Sequence, residues 1–516
     1  MNVFEIIALV VYFVAMLSIG LFLFFKSKSK SEKDYFLGGR NMGGVVSALS
    51  AGASDMSAWV LMGLPGVIAL NGLSEIWISI GLLIGTICAW IFVAPRLRRF
   101  AIKAGDSITI PEFLSNRFKS KNKTLRIASA IVFVVGYCLY SASSIYACGR
   151  LFNLLVPAIS MDIAMIIMAT IIVLYTLLGG FNAVCWTDFF QGLLMLAALM
   201  LVPLIAYIVL QFAAPQYIGA PISPDASTAV YDSLLATGKF DWKSVSKILT
   251  GFGWGLGYFG MPHILVRYMA VKSEKEMKKS QKYGIGWIAI ILTMTTLFGL
   301  VAHDLLGQAL VDRKELVFAD VVRKLFSVGA LALLGGTFIS AIVAASMSTA
   351  DSQLLASSSA FASDIYKTVI NKDASDKQMM WVGRIAVIVV SVVALIIALC
   401  IHWLQLGGIM ELVSAAWSIF GSAFGPAILL ALFWRRFNYK GACVGIITGA
   451  VVSILWMILF NLGYYGFNAV IYDIGLYEII PGFLIGLFAA ILTTKLTKEP
   501  SEEVVQLFDS VGKQVD

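Results

Sequence analysis

Ser47-Ala48-Leu49-Ser50-Ala51-Gly52-Ala53-Ser54-Asp55-Met56-Ser57-Ala58-Trp59 is the stretch on which the reading of this chain turns. It lies inside an apolar segment, yet it carries small and hydroxyl side chains and one carboxylate where a simple spanning helix carries leucine and valine. A counterpart stands downstream in Gly251-Phe252-Gly253-Trp254-Gly255-Leu256-Gly257-Tyr258-Phe259-Gly260-Met261-Pro262, with five glycines and a closing proline. Each glycine costs about 1 kcal/mol relative to alanine in a helix interior, so neither stretch continues as a regular helix without penalty. Broken backbone at membrane depth persists only where it is buried in protein or lines a cavity.

The surroundings make this a membrane question. Of 516 residues, 59% are hydrophobic and 13% charged, more apolar material than one soluble core buries. A span needs roughly 20 apolar residues to cross about 30 Å of hydrocarbon. Thirteen apolar runs are expected, at 3–25, 45–66, 74–94, 127–149, 162–179, 189–212, 248–265, 284–302, 328–358, 385–401, 409–433, 441–462 and 478–494. Such a composition excludes a soluble enzyme, a disordered or collagenous chain, and a β-barrel, whose strands alternate in polarity. The first run lacks a basic leader and an A-x-A site and reads as a retained span.

Segments following odd-numbered runs hold 30 of the 38 Lys and Arg, against 8 after even-numbered runs. The positive-inside rule then predicts a protein of the cell membrane with its N-terminus outside and its C-terminus cytoplasmic. Arg96 to Arg126 and Arg267 to Lys282 become the main basic cytoplasmic loops. The longest outer segment, 213–247, contains Pro215, Pro221 and Pro224. The net charge of +8 is thus topological, and no nucleic-acid partner is expected.

Six cysteines sit singly, and His263, His303 and His402 form no ligand spacing, so zinc, haem and thiol chemistry find no support. No nucleophile and base stand together in an enzyme-like pattern, and no organic cofactor or obligatory protein partner is implied. Five spans separate the starts of the two broken stretches, so the second runs oppositely across the membrane. Inverted repeats with a binding site between unwound helices carry this signature, although glycines also serve close helix packing. A mid-span carboxylate such as Asp55 costs roughly 3 kcal/mol on insertion scales and calls for a cavity with a cation. Ala345, Ser348 and Thr349 stand at i, i+3 and i+4 on one helical face. Oxygen donors without thiolate or imidazole suit a hard ion such as sodium. The competing reading is that hydroxyls bond carbonyls of their own helix, and this is the expectation for Ser357, Ser358 and Ser359.

The strings SALSAGASDMSAWVLMGLPG, FNAVCWTDFFQG, GWGLGYFGMPHILVRYM, MSTADSQLL and GLYEIIPGF resemble the sodium:solute symporter family, and within it the proline-carrying members. The resemblance runs in order from about Tyr35 to Leu496. It implies an all-α polytopic protein with a LeuT-like 5+5 inverted-repeat core, one extra N-terminal helix and two extra C-terminal helices. The chain then divides into 1–39, a first repeat 40–212, the loop 213–247, a second repeat 248–434, two helices in 435–496 and a tail 497–516. The family's sodium ligands imply Ala53, Met56, Ala345, Ser348 and Thr349 here, with Asp55 as the sodium-critical carboxylate. Its solute site implies Tyr140, Trp254, Tyr258 and Pro262, with Ser57, Gly63 and Met261 beside them.

Three departures stand out. Ala58 replaces a glycine and Met261 a glutamine usual among proline carriers, and Asp351 lies where serine is common. Asp351 would join Asp188 and Ser352 in a second cation site, or else stand as a carboxylate at the cytoplasmic mouth. Arg40 and Arg384 resemble cytoplasmic gate residues, though topological anchors would look the same. The implied activity is sodium-coupled import of a small amino acid, L-proline, across the lipid bilayer. Symport of another small organic solute, or an uncoupled channel or uniporter, is the alternative.

Overall fold

The computed structural model describes residues 3–26, 31–120, 122–212, 218–219, 228–465 and 474–512. Among them every regular element is helical, and extended backbone meets only at the isolated Met42–Val271 bridge. Pro215, Pro221 and Pro224 lie outside the described residues.

Among the described residues ten helices are long and apolar enough to cross a membrane: Val3–Phe22, Trp59–Lys103, Thr124–Leu155, Gly180–Phe212, Glu274–Leu310, Leu331–Ile370, Asp376–Leu404, Ile409–Phe433, Tyr439–Phe460 and Ile479–Leu496. The other expected spans are irregular for identifiable reasons. The fifth is the short apolar helix Met161–Leu177, which turns into the sixth at Gly180. There φ is +59°, and a Cβ would stand 3.1 Å from the Tyr35 ring, so only glycine fits the bend.

The second is in pieces. Helix Gly44–Asp55 stops at Met56, whose ψ is 71°, a wide turn follows over Trp59–Gly63, and Leu64–Asn71 restarts with Pro65 in its first turn. The seventh begins at Trp242–Leu256, capped by the Asp241 carboxylate, which accepts from Ser244 N at 2.9 Å. It narrows over Gly257–Phe259, opens at Met261 with ψ 108°, and resumes as Pro262–Ala270. A proline at a helix start loses no hydrogen bond there.

Part of the glycine pattern serves packing. A Cβ on Gly81 would stand 2.0 Å from Gly251 O, and one on Gly85 would stand 2.3 Å from Gly255 O. Helices Ile76–Cys88 and Trp242–Leu256 therefore cross with backbones in contact, as small-residue pairs allow. Gly257 lies beneath Trp417, whose Nε1 would be 1.9 Å from an added Cβ.

Helix Asp376–Leu404 turns Ile385, Ile388, Val389, Val392, Val393 and Ile396 outward, an apolar stripe at helical spacing that lipid covers. Helix Leu331–Ser359 is the reverse: its centre, with Ser346, Ser348, Thr349, Asp351, Ser352 and Gln353, is buried. The polar material lies inside, which is where a membrane protein keeps groups that lipid cannot solvate.

Candidate functional site

The two breaks meet. Tyr258, in the tight turn of the second, donates its hydroxyl to Asp55 Oδ2 in the first at 2.5 Å. Asp55 is fully buried, and its other oxygen, Oδ1, has no hydrogen-bond partner. The Asp55 carbonyl accepts from Trp59 Nε1 at 3.2 Å and from the Tyr140 hydroxyl at 3.5 Å. Ending the helix at Asp55 thus frees backbone groups and surrounds them with side-chain donors.

Helix Leu331–Ser359 faces this break. Ser348 Oγ donates to Ala53 O at 2.8 Å and to Ala345 O at 3.1 Å, so Ala53, Ala345 and Ser348 are brought together. Thr349 Oγ1 is buried and makes no hydrogen bond, whereas Ser357 and Ser358 bond the carbonyls of Leu354 and Leu355. The competing reading of intrahelical bonding therefore fits the last two and fails for Thr349. Among the described residues no cluster of three His, Cys, Asp or Glu is arranged to hold a metal ion. The donors near Asp55 are carbonyl, hydroxyl and carboxylate oxygens, a set matched to sodium.

A cluster of packed aromatic rings adjoins Asp55. Trp254 stacks on Trp59 at 6.1 Å and on Tyr477 at 5.1 Å, and lies 6.2 Å from Trp417. Tyr258 meets Trp417 edge-on at 5.4 Å, and Trp417 Nε1 donates to Trp254 O at 2.8 Å. Tyr140, Met261 and Ser57 are buried, and Gly63 packs against Met410, whose Cγ would lie 2.7 Å from an added Cβ. Trp417 and Tyr477 escaped the sequence reading. Trp417 had a signal, an isolated large ring in the small-residue run Ser414-Ala415-Ala416-Trp417-Ser418.

The second acidic group holds a fixed cation. Arg267 Nη2 pairs with Asp188 Oδ2 at 2.8 Å and donates to Ser352 Oγ at 2.5 Å, while Nε donates to Ser50 Oγ at 2.7 Å. Ser50 donates to Asp188 at 2.7 Å, and Ser352 to Asp351 Oδ1 at 3.2 Å. The expectation that Arg267 opens a cytoplasmic loop is thereby corrected. It sits 2% exposed on helix Pro262–Ala270, because Asp188 on a neighbouring helix requires a counter-charge.

Arg40 is buried with φ +55°. It donates from Nε to Asp106 Oδ1 at 2.7 Å, from Nη1 to Met269 O at 2.5 Å and from Nη2 to Ser107 O at 2.5 Å. Lys33 also pairs with Asp106. Partial burial raises the Asp106 pKa, but hydrogen bonds from Lys33 and Arg40 outweigh it and hold the carboxyl below its usual range. Arg384 lies 5.3 Å over the Trp381 ring and 5.9 Å over the Tyr35 ring.

The architecture is shared with solved transporters. A sodium-coupled sialic acid symporter, solved substrate-bound and outward-open, superposes with TM-score 0.73 at 19% identity, covering 96% of this chain and 98% of that one. A nucleobase-cation-symport-1 family transporter in a closed conformation gives 0.52 at 15% identity, covering 94% and 99%. Residues 35–449 match the model of the sodium:solute symporter family, and this chain belongs to that family. It is a multi-pass membrane protein. It is 42% identical over 499 residues to a high-affinity proline transporter of Bacillus subtilis, covering 96% of this chain and 98% of the relative. An osmoregulated proline transporter of the same organism is 40% identical over 517 residues, covering 99% of both chains. A sodium/proline symporter of Staphylococcus aureus is 39% identical over 507 residues, covering 96% and 93%.

Proposed function

We propose that this protein imports L-proline with sodium by alternating access across the cell membrane. The observation that carries this reading is the junction of the breaks: Asp55 takes the Tyr258 hydroxyl while Ser348 takes the Ala53 carbonyl. One buried oxygen cluster thus joins residues 40–212, 248–434 and the aromatic cluster. The names of relatives about 40% identical over nearly the whole chain support the solute and the ion.

In this reading thirteen membrane segments are arranged as a 5+5 inverted repeat with flanking helices, the second made of Gly44–Asp55 with the first part of the long stretch Trp59–Lys103, up to Asn71, and the third of the remainder of that stretch. The Lys and Arg bias places the N-terminus outside and the C-terminus in the cytoplasm. Sodium binds at Ala53, Met56, Ala345, Ser348 and Thr349 with Asp55 alongside. Proline binds between Tyr140, Trp254, Tyr258, Pro262 and Met261, near Ser57 and Gly63. The aromatic faces pack the pyrrolidine ring and freed backbone amides receive the carboxylate. Asp188, Asp351 and Ser352 form a site whose resident cation is the Arg267 guanidinium. Arg40 and Arg384 serve the cytoplasmic gate.

One charge crossing 100 mV supplies about 2.3 kcal/mol and a tenfold sodium gradient about 1.4 kcal/mol. Together these sustain an accumulation of roughly a few hundredfold. Reconstituted, inside-negative vesicles are the test. Proline uptake above the external level with sodium, and equilibration only without it, is the expected result. Equal uptake with and without sodium means an uncoupled channel or uniporter.

A further inference from the structure

We infer that Tyr477 is a specificity-determining residue for the solute, positioned by residues 474–478 outside the two five-helix repeats and acting through Trp254. The inference rests on the solute reading above. Residues 474–478 connect toward the last membrane-crossing helix, Ile479–Leu496, and have no regular structure except a turn at Glu478. They are nevertheless fastened at almost every position. Ile474 O accepts from Trp242 Nε1 at 3.0 Å. Leu476 O accepts from Trp456 Nε1 at 3.1 Å and from Asn461 Nδ2 at 2.9 Å. Tyr477 N donates to Thr250 Oγ1 at 3.2 Å, and the Tyr477 hydroxyl donates to Ser414 O at 2.8 Å. Behind it, the buried Glu478 carboxylate accepts from the Tyr465 hydroxyl at 2.5 Å and from Asn461 Nδ2 at 2.9 Å.

The result is one fixed ring. Tyr477 is 6% exposed, and its centroid lies 5.1 Å from that of Trp254 with the planes 29° apart. Its backbone is tied to the second broken stretch through Thr250, and its hydroxyl to helix Ile409–Phe433 through Ser414. Trp254 cannot tilt toward Tyr477 without breaking one of these attachments. A ring held at both ends sets the width that the Trp254 face leaves for a small apolar amino-acid ring. The last two helices thereby contribute to selectivity as well as to packing.

The experiment is sodium-driven uptake in proteoliposomes, reading the half-saturating proline concentration and competition by pipecolate, the six-membered ring homologue, with Trp254→Leu in parallel. Tyr477→Leu should raise the half-saturating proline concentration by roughly tenfold, the upper range for losing an aromatic pair. It should also improve pipecolate competition relative to proline and preserve the maximal rate. Tyr477→Phe, which keeps the ring, should stay within about threefold of wild type for proline. If Tyr477→Leu is absent from the membrane, the same constants are read on Tyr477→Met, which removes the aromatic face while keeping most of the volume. An unchanged pipecolate-to-proline ratio at Tyr477 alongside a changed one at Trp254 would overturn the inference and leave the solute site standing. No change at either position would overturn the solute site itself.

Discussion

Two buried acidic clusters share helices Gly44–Asp55 and Leu331–Ser359, and they are built on opposite plans. At Asp55 the chain supplies a neutral hydroxyl from Tyr258 and leaves Asp55 Oδ1 and Thr349 Oγ1 unmatched. At Asp188 it supplies a permanent guanidinium, Arg267, which bonds Asp188, Ser50 and Ser352 together, although Asp188 Oδ1 and Asp351 Oδ2 stand unmatched there too; the difference lies in the built-in cation. An isolated buried carboxylate is costly unless a cation or proton accompanies it. Where the cation is covalently part of the chain, the cluster is a structural clamp. Where it is not, charge balance depends on something that arrives and leaves, which is what coupling to an ion requires.

The largest effect should therefore come from breaking the clamp. Arg267→Ala strands the Asp188 charge, and losing one partner of a buried pair costs about 3–5 kcal/mol. Membrane yield and the detergent-solubilised Tm should both collapse. The double change Arg267→Met with Asp188→Leu, which removes the bonded pair and leaves only the Asp351 carboxyl, should recover part of the Tm. A normal yield for Arg267→Ala alone would show that another cation can fill the place.

Asp55→Asn is the matching test at the other cluster, with the opposite division of effects. Asparagine still accepts the Tyr258 hydroxyl, so yield and Tm should stay close to wild type. Sodium-driven uptake should fall by more than about tenfold, because the charge that favours the ion is gone. Loss of yield matching that of Arg267→Ala would put Asp55 in the structural class instead.

Thr349→Ala removes one oxygen and no charge. A hydrogen bond contributes about 1 kcal/mol net, so the sodium midpoint should rise roughly fivefold. Because coupling between two sites is reciprocal, raising sodium should restore much of the lost proline affinity. A lowered maximal rate with an unchanged sodium midpoint would place the hydroxyl outside the sodium site.

How much of this contrast was legible beforehand follows from what each residue type announces. Asp55 and the glycines after Gly251 violate the rule that a span is apolar and regular, so they could be read without coordinates. The breaks then fell where expected, at Met56 and Met261. Arg267 was misplaced because a basic residue after an apolar run looks the same whether it starts a loop or turns inward. Only the partner, Asp188, decides between these, and it is distant in sequence. Trp417 and Tyr477 were hidden for a related reason: a large ring in a membrane helix, or in the segment leading into one, is ordinary, and its role appears only when several rings converge on Trp254. The glycines carried two meanings at once, since Gly251 and Gly255 permit the contact with Gly81 and Gly85 while Gly257 and Gly260 belong to the break.

The smallest expected effect lies at a third carboxylate, which sharpens the comparison because water reaches it. Asp106 is bracketed by Arg40 and Lys33, and its side chain is 44% exposed. Its folded pKa is held below the usual aspartate range despite the opposing influence of burial. A depressed folded pKa contributes stability that is fully present above the unfolded value of about 3.9 and is lost as pH falls through the folded value. The Tm difference between wild type and Asp106→Asn should accordingly be modest and constant from about pH 8 to 5, then shrink below about pH 4. Screening keeps it far smaller than the Arg267 effect. The functional consequence should also be small and local: Arg40 would lose its charged partner yet still hold Met269 O and Ser107 O, so cysteine labelling beside Arg40 should rise only modestly in Asp106→Asn while the sodium midpoint stays put. A shifted sodium midpoint would mean that the Arg40–Asp106 cluster and the Asp55 cluster are one energetic unit, and that the division into a fixed clamp and an exchangeable ion site is drawn in the wrong place.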